Sequence, residues 1–311
     1  MKDPVLQEET NGLLYPIQPQ LPDLDQSPLP EKVFHYTDTS GLLGMLASGV
    51  LWATDYRFLN DSSEIAYIYR VASDLVTRKF VGRYEGLAAA FVDHAALTDP
   101  PYTEVPYYLC CFSELDNSLS QWRAYGGRQG FSVGLPGDIS TVAGHDPRGR
   151  QNPGITLLKV NYDRGEQERY ITALVEALVG ICDAPHMARY KSREEALSSF
   201  TPFYWAQLER ASYRFKHPDF AVEQEWRLVG WGEVHPEWFR PGTTITPYTK
   251  FSPYSVSWSG RGLTGLPLMS VRHGPSELPR ETLFALDRAL KSHGYDEASC
   301  ERLQSTTPVR L

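Results

Sequence analysis

The run Glu223-Gln224-Glu225-Trp226-Arg227-Leu228-Val229 constrains this chain more than any other stretch. It reads as a β-strand that opens on two carboxylates two positions apart, and side chains at i and i+2 of a strand share a face. A sheet holding this strand must give both acids one common spot. Two readings of that crowding stay open. One is a reactive cleft, where one carboxylate stabilises developing positive charge and the other handles a proton. The other is an exposed strand whose acids are ion-paired.

The rest of the chain supplies elements of both periods. Val33 to Thr37 reads as a strand, followed by a helix from Ser40 to Ser48 that Asp38 or Thr39 can cap and Gly49 can end. A strand from Val50 to Thr54 comes next, then a loop around Tyr56 to Glu64. Ile65, Ile68, Val71, Ala72 and Leu75 lie at helical spacing, and the pattern runs to about Leu97. Val105 to Ser113 reads as a buried strand, Ser118 to Tyr125 as a short helix, and Phe131 to Leu135 as a strand entered through a turn at Gly126, Gly127 and Gly130. Residues 138 to 153 read as a surface loop and Ile155 to Tyr162 as a strand. Helices are expected over about 165 to 182 and 192 to 216. After the Glu223 to Trp231 strand, 235 to 265 is loop-rich, Leu266 to Arg272 a strand, Glu277 to Ser292 a helix, and the tail from Ala298 a final strand. Strands and helices mixed without regular alternation predict an α+β fold with a mixed central sheet and flanking helices.

Six prolines within residues 1 to 30 predict an extended N-terminal arm, leaving 31 to 311 as a single domain. A net charge of −8 argues against attachment to nucleic acid or an anionic membrane through a diffuse basic field. Nothing approaches the roughly 20 apolar residues of a membrane span, and the start of the chain lacks a secretory signal pattern. Four scattered cysteines (Cys110, Cys111, Cys182 and Cys300) suit a reducing compartment. Cytoplasmic residence without a membrane partner is the expectation, with export by a route that needs no cleaved signal left open.

Several chemistries lack their usual marks. The eight histidines form no HxH, HExxH or paired Cys-His set, so no metal site is assigned. There is no GxSxG elbow, P-loop or dinucleotide fingerprint; Gly126, Gly127 and Gly130 lead from a helix into a strand, the wrong context for a phosphate cradle. Cys111 lies in an apolar strand with no adjacent cation and reads as a buried thiol. Four polar islands do stand at strand ends, where clefts form: His35 with Thr37, Asn60-Asp61 with Glu64, Ser113 with the Trp122 and Tyr125 helix, and Glu223 with Glu225. Each also has a structural reading, as a satisfied core histidine, a capping turn, core aromatics or an ion-paired strand.

These islands and their neighbours resemble the bacterial proteins grouped as domain of unknown function 2971. The motifs are His35-Tyr36-Thr37, Phe58-Leu59-Asn60-Asp61 with Glu64, Cys111-Phe112-Ser113-Glu114, Gln121-Trp122-Arg123-Ala124-Tyr125, Gly130-Phe131, Glu223-Gln224-Glu225-Trp226-Arg227, Gly274-Pro275 and Pro308-Val309-Arg310. A more distant resemblance, in the order of a His strand, a strand ending in Ser and a Glu-x-Glu strand, is to the ADP-ribosyltransferase fold. That resemblance implies a split sheet and NAD as substrate. It implies His35, with Thr37 beside it, on the adenosine ribose, Ser113 bracing the nicotinamide side, Glu225 on the nicotinamide ribose and Glu223 activating the acceptor. Tyr56, Trp122 and Tyr125 are the candidates to stack on nicotinamide.

The function so implied is transfer of ADP-ribose to a macromolecular acceptor, protein or nucleic acid, by a toxin, effector or defence factor that an inhibitor or antitoxin could hold in check. Whether the chain is an enzyme stays open at this level. One alternative is a non-catalytic module that binds a nucleotide or peptide in an aromatic-rich cleft. Another is a metal-dependent nuclease or hydrolase built on Asp61, Glu64, Glu223 and Glu225.

Overall fold

The computed structural model describes residues 4–23, 27–59, 62–97, 107–127, 129–139, 144–145, 151–152, 155–231, 238–241, 245–251 and 265–307. The first elements in chain order are α1 (Pro4–Leu14), β1 (Lys32–Asp38), α2 (Thr39–Ser48), β2 (Leu51–Asp55), α3 (Ser62–Lys79), α4 (Gly86–Ala95) and β3 (Tyr107–Ser113). Then follow α5 (Leu119–Tyr125), β4 (Gly130–Pro136), β5 (Gly144–His145), β6 (Gln151–Asn152), β7 (Thr156–Lys159), α6 (Arg164–Cys182) and α7 (Arg193–Ser212). The last are β8 (Glu225–Trp231), β9 (Phe239–Pro241), β10 (Ile245–Phe251), β11 (Ser270–His273), α8 (Pro279–Ser292) and β12 (Glu301–Gln304). The class is α+β, as the mixed periodicity predicts.

Where a single domain over 31–311 is expected, the chain divides into two compact units. One comprises Met1–Gln26, Asn60–Glu104 and Asn161–Pro218; the other Ser27–Leu59, Val105–Val160 and Asp219–Leu311. The reason is that each gathers its own apolar core from distant segments.

The first unit is helical. The sequence predicts an extended arm at its start, but Pro4–Leu14 forms α1. Pro4 stands at the first helical position, where a missing N–H costs nothing, and the other prolines come after the helix ends. Leu6, Thr10 and Leu14 recur every four residues and are buried, with Leu6 and Leu14 in one core with Phe200 and Tyr204 of α7. Thr10 Oγ1 is anchored by His186 Nε2 at 3.1 Å and the Tyr190 hydroxyl at 2.8 Å. The single helical run expected to Leu97 is two helices, because Gly82 in the connection and Gly86 at the first position of α4 take positive φ.

The second unit is built on a ten-stranded sheet in the order β12-β11-β4-β1-β3-β2-β10-β9, with β8 on β3 and β7 on β8. Its pairs are antiparallel except β11 with β12. Strand β10 falls in the region that composition alone marks as loop. Helix α2 packs on β1 and β4, and α8 on β11 and β12; Leu42, Leu46, Leu286 and Leu290 join Val33, Val133, Leu135 and Val271 in the core. Asp38 caps α2 by accepting from Gly41 N–H at 2.8 Å, and Gly49 ends it at φ 64°.

The glycine turn before β4 uses two devices. Gly127 takes φ 54°. Gly126 and Gly130 are there for contact: a Cβ on Gly130 would lie 2.6 Å from Gly126 Cα and 3.2 Å from the Trp122 ring.

Candidate active site at a split in the sheet

Strand β3 has one neighbour along one edge and two along the other. β8 pairs with it from Tyr107↔Trp231 to Ser113↔Glu225. On the opposite edge β1 meets it at Phe34↔Ser113, whereas β2 takes over at Thr54↔Leu109 and Asp55↔Tyr108. Between these contacts the ladder opens, and a buried backbone carbonyl there needs another donor. His35 provides it, with Nδ1 2.9 Å from the Cys111 carbonyl oxygen. A carbonyl can accept but not donate, so Nδ1 carries the proton and Nε2 of the neutral ring keeps a lone pair.

A cavity of about 60 Å³ lies at this opening, lined by His35, Cys111, Gln121, Tyr125, Glu223 and Glu225 among others. It can hold a small fragment, well short of the roughly 300–1,000 Å³ that encloses a drug-sized ligand. The strand of His35, the strand of Ser113 and the strand of Glu225 are therefore neighbours in the order β1-β3-β8.

The two acids reach the cavity by different routes from the one expected. Glu223 is not on the strand: it ends a 3-10 turn over Pro218–Glu223, and Gln224 at φ 43° separates it from β8, which begins at Glu225. The i, i+2 rule holds instead for Glu225 and Arg227, whose Nε and Nη2 donate to the carboxylate at 2.8 and 3.1 Å. Both side chains are almost wholly buried, at 7% and 2% exposure. Arg227 stands two positions after Glu225 in the same motif, and that spacing is the sequence signal of the pair. Trp226 and Leu228, on the alternate face, enter the core.

The other expected site residues divide into lining and support. Tyr125 lines the cavity. Ser113 is 1% exposed, and its hydroxyl donates to the Glu223 carbonyl at 2.6 Å while accepting from Leu115 N–H at 3.1 Å. It fixes the turn that carries Glu223 and does not line the cavity. Thr37 sits against α2, where a Cβ on Gly41 would be 1.9 Å from its Oγ1. Trp122 is buried, donates from Nε1 to Asn117 Oδ1 at 3.0 Å and packs edge-on to Tyr36. Tyr56 is buried and edge-on to Tyr107 at 6.2 Å. None of Thr37, Trp122 and Tyr56 lines the cavity. Asn60, Asp61 and the Glu64 side chain lie outside the described residues, as does Pro308-Val309-Arg310. Among the described residues, no three His, Cys, Asp or Glu side chains are grouped so as to hold a metal ion.

Burial sets the electrostatics. It holds His35 below its ordinary pKa, against the Cys111 hydrogen bond, with Arg240 adding to the depression. Burial, then the Glu225 carboxylate, pushes the Cys111 thiol well up, so it remains a thiol. Burial also pushes the Tyr36 hydroxyl up to about 12.

Fold and site together define an α+β protein with a small cavity, walled by aromatic and polar side chains, where its sheet divides. Residues 121–228, from within α5 to the middle of β8, match the family model described as Protein of unknown function (DUF2971). The resemblance to domain of unknown function 2971 is borne out over those residues. Nothing among curated proteins or solved structures matches the chain. Among the described residues no helix is long and apolar enough to cross a membrane.

Proposed function

We propose that this protein is an ADP-ribosyltransferase-like enzyme that uses NAD as substrate and transfers ADP-ribose to a macromolecular acceptor. The observation that carries the reading is the convergence of His35, Glu223 and Glu225 on one cavity, from a strand order in which His, Ser and Glu strands lie side by side. In the reaction the bond from ribose C1′ to the pyridinium nitrogen breaks and nicotinamide leaves with the electron pair. The oxocarbenium ion so formed is stabilised by a fixed carboxylate. Glu225, held by Arg227, is suited to that task. The acceptor's nucleophile forms the new bond to C1′ and gives its proton to Glu223, the acid at the end of the turn. The neutral His35 can accept from a ribose hydroxyl through Nε2. The small cavity takes the reacting end of the dinucleotide, with the remainder along its mouth.

One observation favours a second reading. A carboxylate bound on two oxygens by a buried guanidinium is also what a structural ion pair looks like, and a non-catalytic module binding a nucleotide or peptide would keep it for that reason.

The test is release of nicotinamide, and transfer of label from adenylate-labelled NAD, in lysate separated into protein and nucleic-acid fractions. Wild type is compared with Glu223→Gln and Glu225→Gln, each checked by thermal unfolding because Glu225→Gln also strips Arg227 of its counter-charge. Label that moves with wild type and not with a folded Glu223→Gln variant supports the transferase. NAD left intact by wild type, with binding retained, supports the module.

A further inference from the structure

Gln121 carries the sequence signature of a capping residue and is not used as one. Ser118 precedes α5, Gln121 is the third helical residue, and Ser-x-x-Gln is the pattern in which the glutamine side chain reaches back to the cap's own backbone N–H. Here Ser118 N–H donates to the Tyr36 hydroxyl at 2.9 Å, and that hydroxyl donates in turn to the Leu115 carbonyl at 2.6 Å. The Ser118 hydroxyl pairs with Ser120 at 2.8 Å and caps nothing. The Gln121 amide is left without its helix partner.

That amide lines the cavity. Gln121 is 7% exposed, and among the described residues its side chain has no hydrogen-bond partner. Its amide atoms are not among those sealed from solvent without a partner, so they face the cavity, where a ligand can take the place of water. Tyr125 lies four residues on, on the same side of α5, and lines the same cavity.

We propose that Gln121 is the residue that selects the ligand's heterocycle, pairing its carbonyl and NH2 with a planar group that offers one donor and one acceptor side by side. A primary carboxamide on an aromatic ring is such a group. This rests on the transferase reading, in which the ring is nicotinamide. A ring carboxylate in the same place offers two acceptors and leaves the Gln121 carbonyl facing an oxygen.

The test measures, with the full chain, dissociation constants for NAD and for its deamido analogue, in which a carboxylate replaces the carboxamide. Wild type is expected to prefer NAD by about tenfold or more, the size of one or two buried hydrogen bonds. Gln121→Met, close in shape, should bring the ratio near one; Gln121→Asn, which withdraws the amide by one methylene, should do the same. Either folded variant decides the matter. A ratio unchanged in a folded variant, while wild type still releases nicotinamide, overturns the role of Gln121 and leaves the transferase standing. Wild type that binds neither dinucleotide overturns both.

Discussion

Arg227→Met tests whether the buried ion pair beneath the cavity holds the second unit together. Wild-type Arg227 places Nε and Nη2 2.8 and 3.1 Å from the two Glu225 oxygens, at side-chain exposures of 2% and 7%. An exposed pair of the same geometry contributes about 0–1 kcal/mol, since water solvates either charge alone. Burial raises the stakes: removing the guanidinium leaves a carboxylate that is 7% exposed, open only to a small cavity and without its counter-charge, and such losses run to about 3–5 kcal/mol. Methionine fills most of the volume, so the cost comes from charge and not from a cavity. Removing both charges in Glu225→Leu/Arg227→Met should restore most of that loss, because the desolvation of two ions disappears with their attraction. Urea unfolding followed by tryptophan fluorescence gives the midpoints, compared at a common slope. A cost below about 1 kcal/mol for Arg227→Met, or a double variant no better than the single one, refutes the reasoning.

Two further outcomes follow from the same geometry. Gly130→Ala should lower stability by about 1–3 kcal/mol, because its Cβ meets backbone at Gly126 and the Trp122 ring, neither of which can rotate away; an unchanged urea midpoint would contradict this packing. His35 is held below its ordinary 6.5 chiefly by burial. The unfolded chain therefore takes up a proton that the folded chain refuses, so stability is full above about 6.5 and declines as pH falls from there towards the folded value. In His35→Gln the loss of stability between about pH 7 and about pH 5 should be shallower than in wild type. It should not vanish, because burial lowers the His94 pKa as well. Equal slopes would show that His35 does not titrate as described.

Much of the local structure was legible in the chain. Asp38 and Gly49 bracket α2 because capping and left-handed termination are decided within a few residues. The strands around His35, Ser113 and Phe131 were readable from apolar runs bounded by turn residues, and they settle the α+β class. The motifs also contain eight of the nine residues around the cavity, all but Phe34: His35, Tyr36, Cys111, Phe112, Gln121, Tyr125, Glu223 and Glu225. Proline content does not predict the N-terminal helix; the four-residue spacing of Leu6, Thr10 and Leu14 does, and it matters only once a core stands opposite.

The order of residues sets which side chains alternate and which recur every turn, since those periods belong to the backbone. Tertiary structure decided which polar groups are committed and which are left for a ligand. Ser113 looks like a site residue until the turn at Glu223 claims its hydroxyl from 110 positions away. Gln121 looks like a cap until Tyr36, 82 positions before Ser118, takes that N–H first. Glu223 and Glu225 look like a strand pair until the backbone at Gln224 turns left-handed and Arg227 takes the second acid. A hydrogen bond has few places to go, and competition among groups far apart in the chain is settled only when the fold brings them within reach.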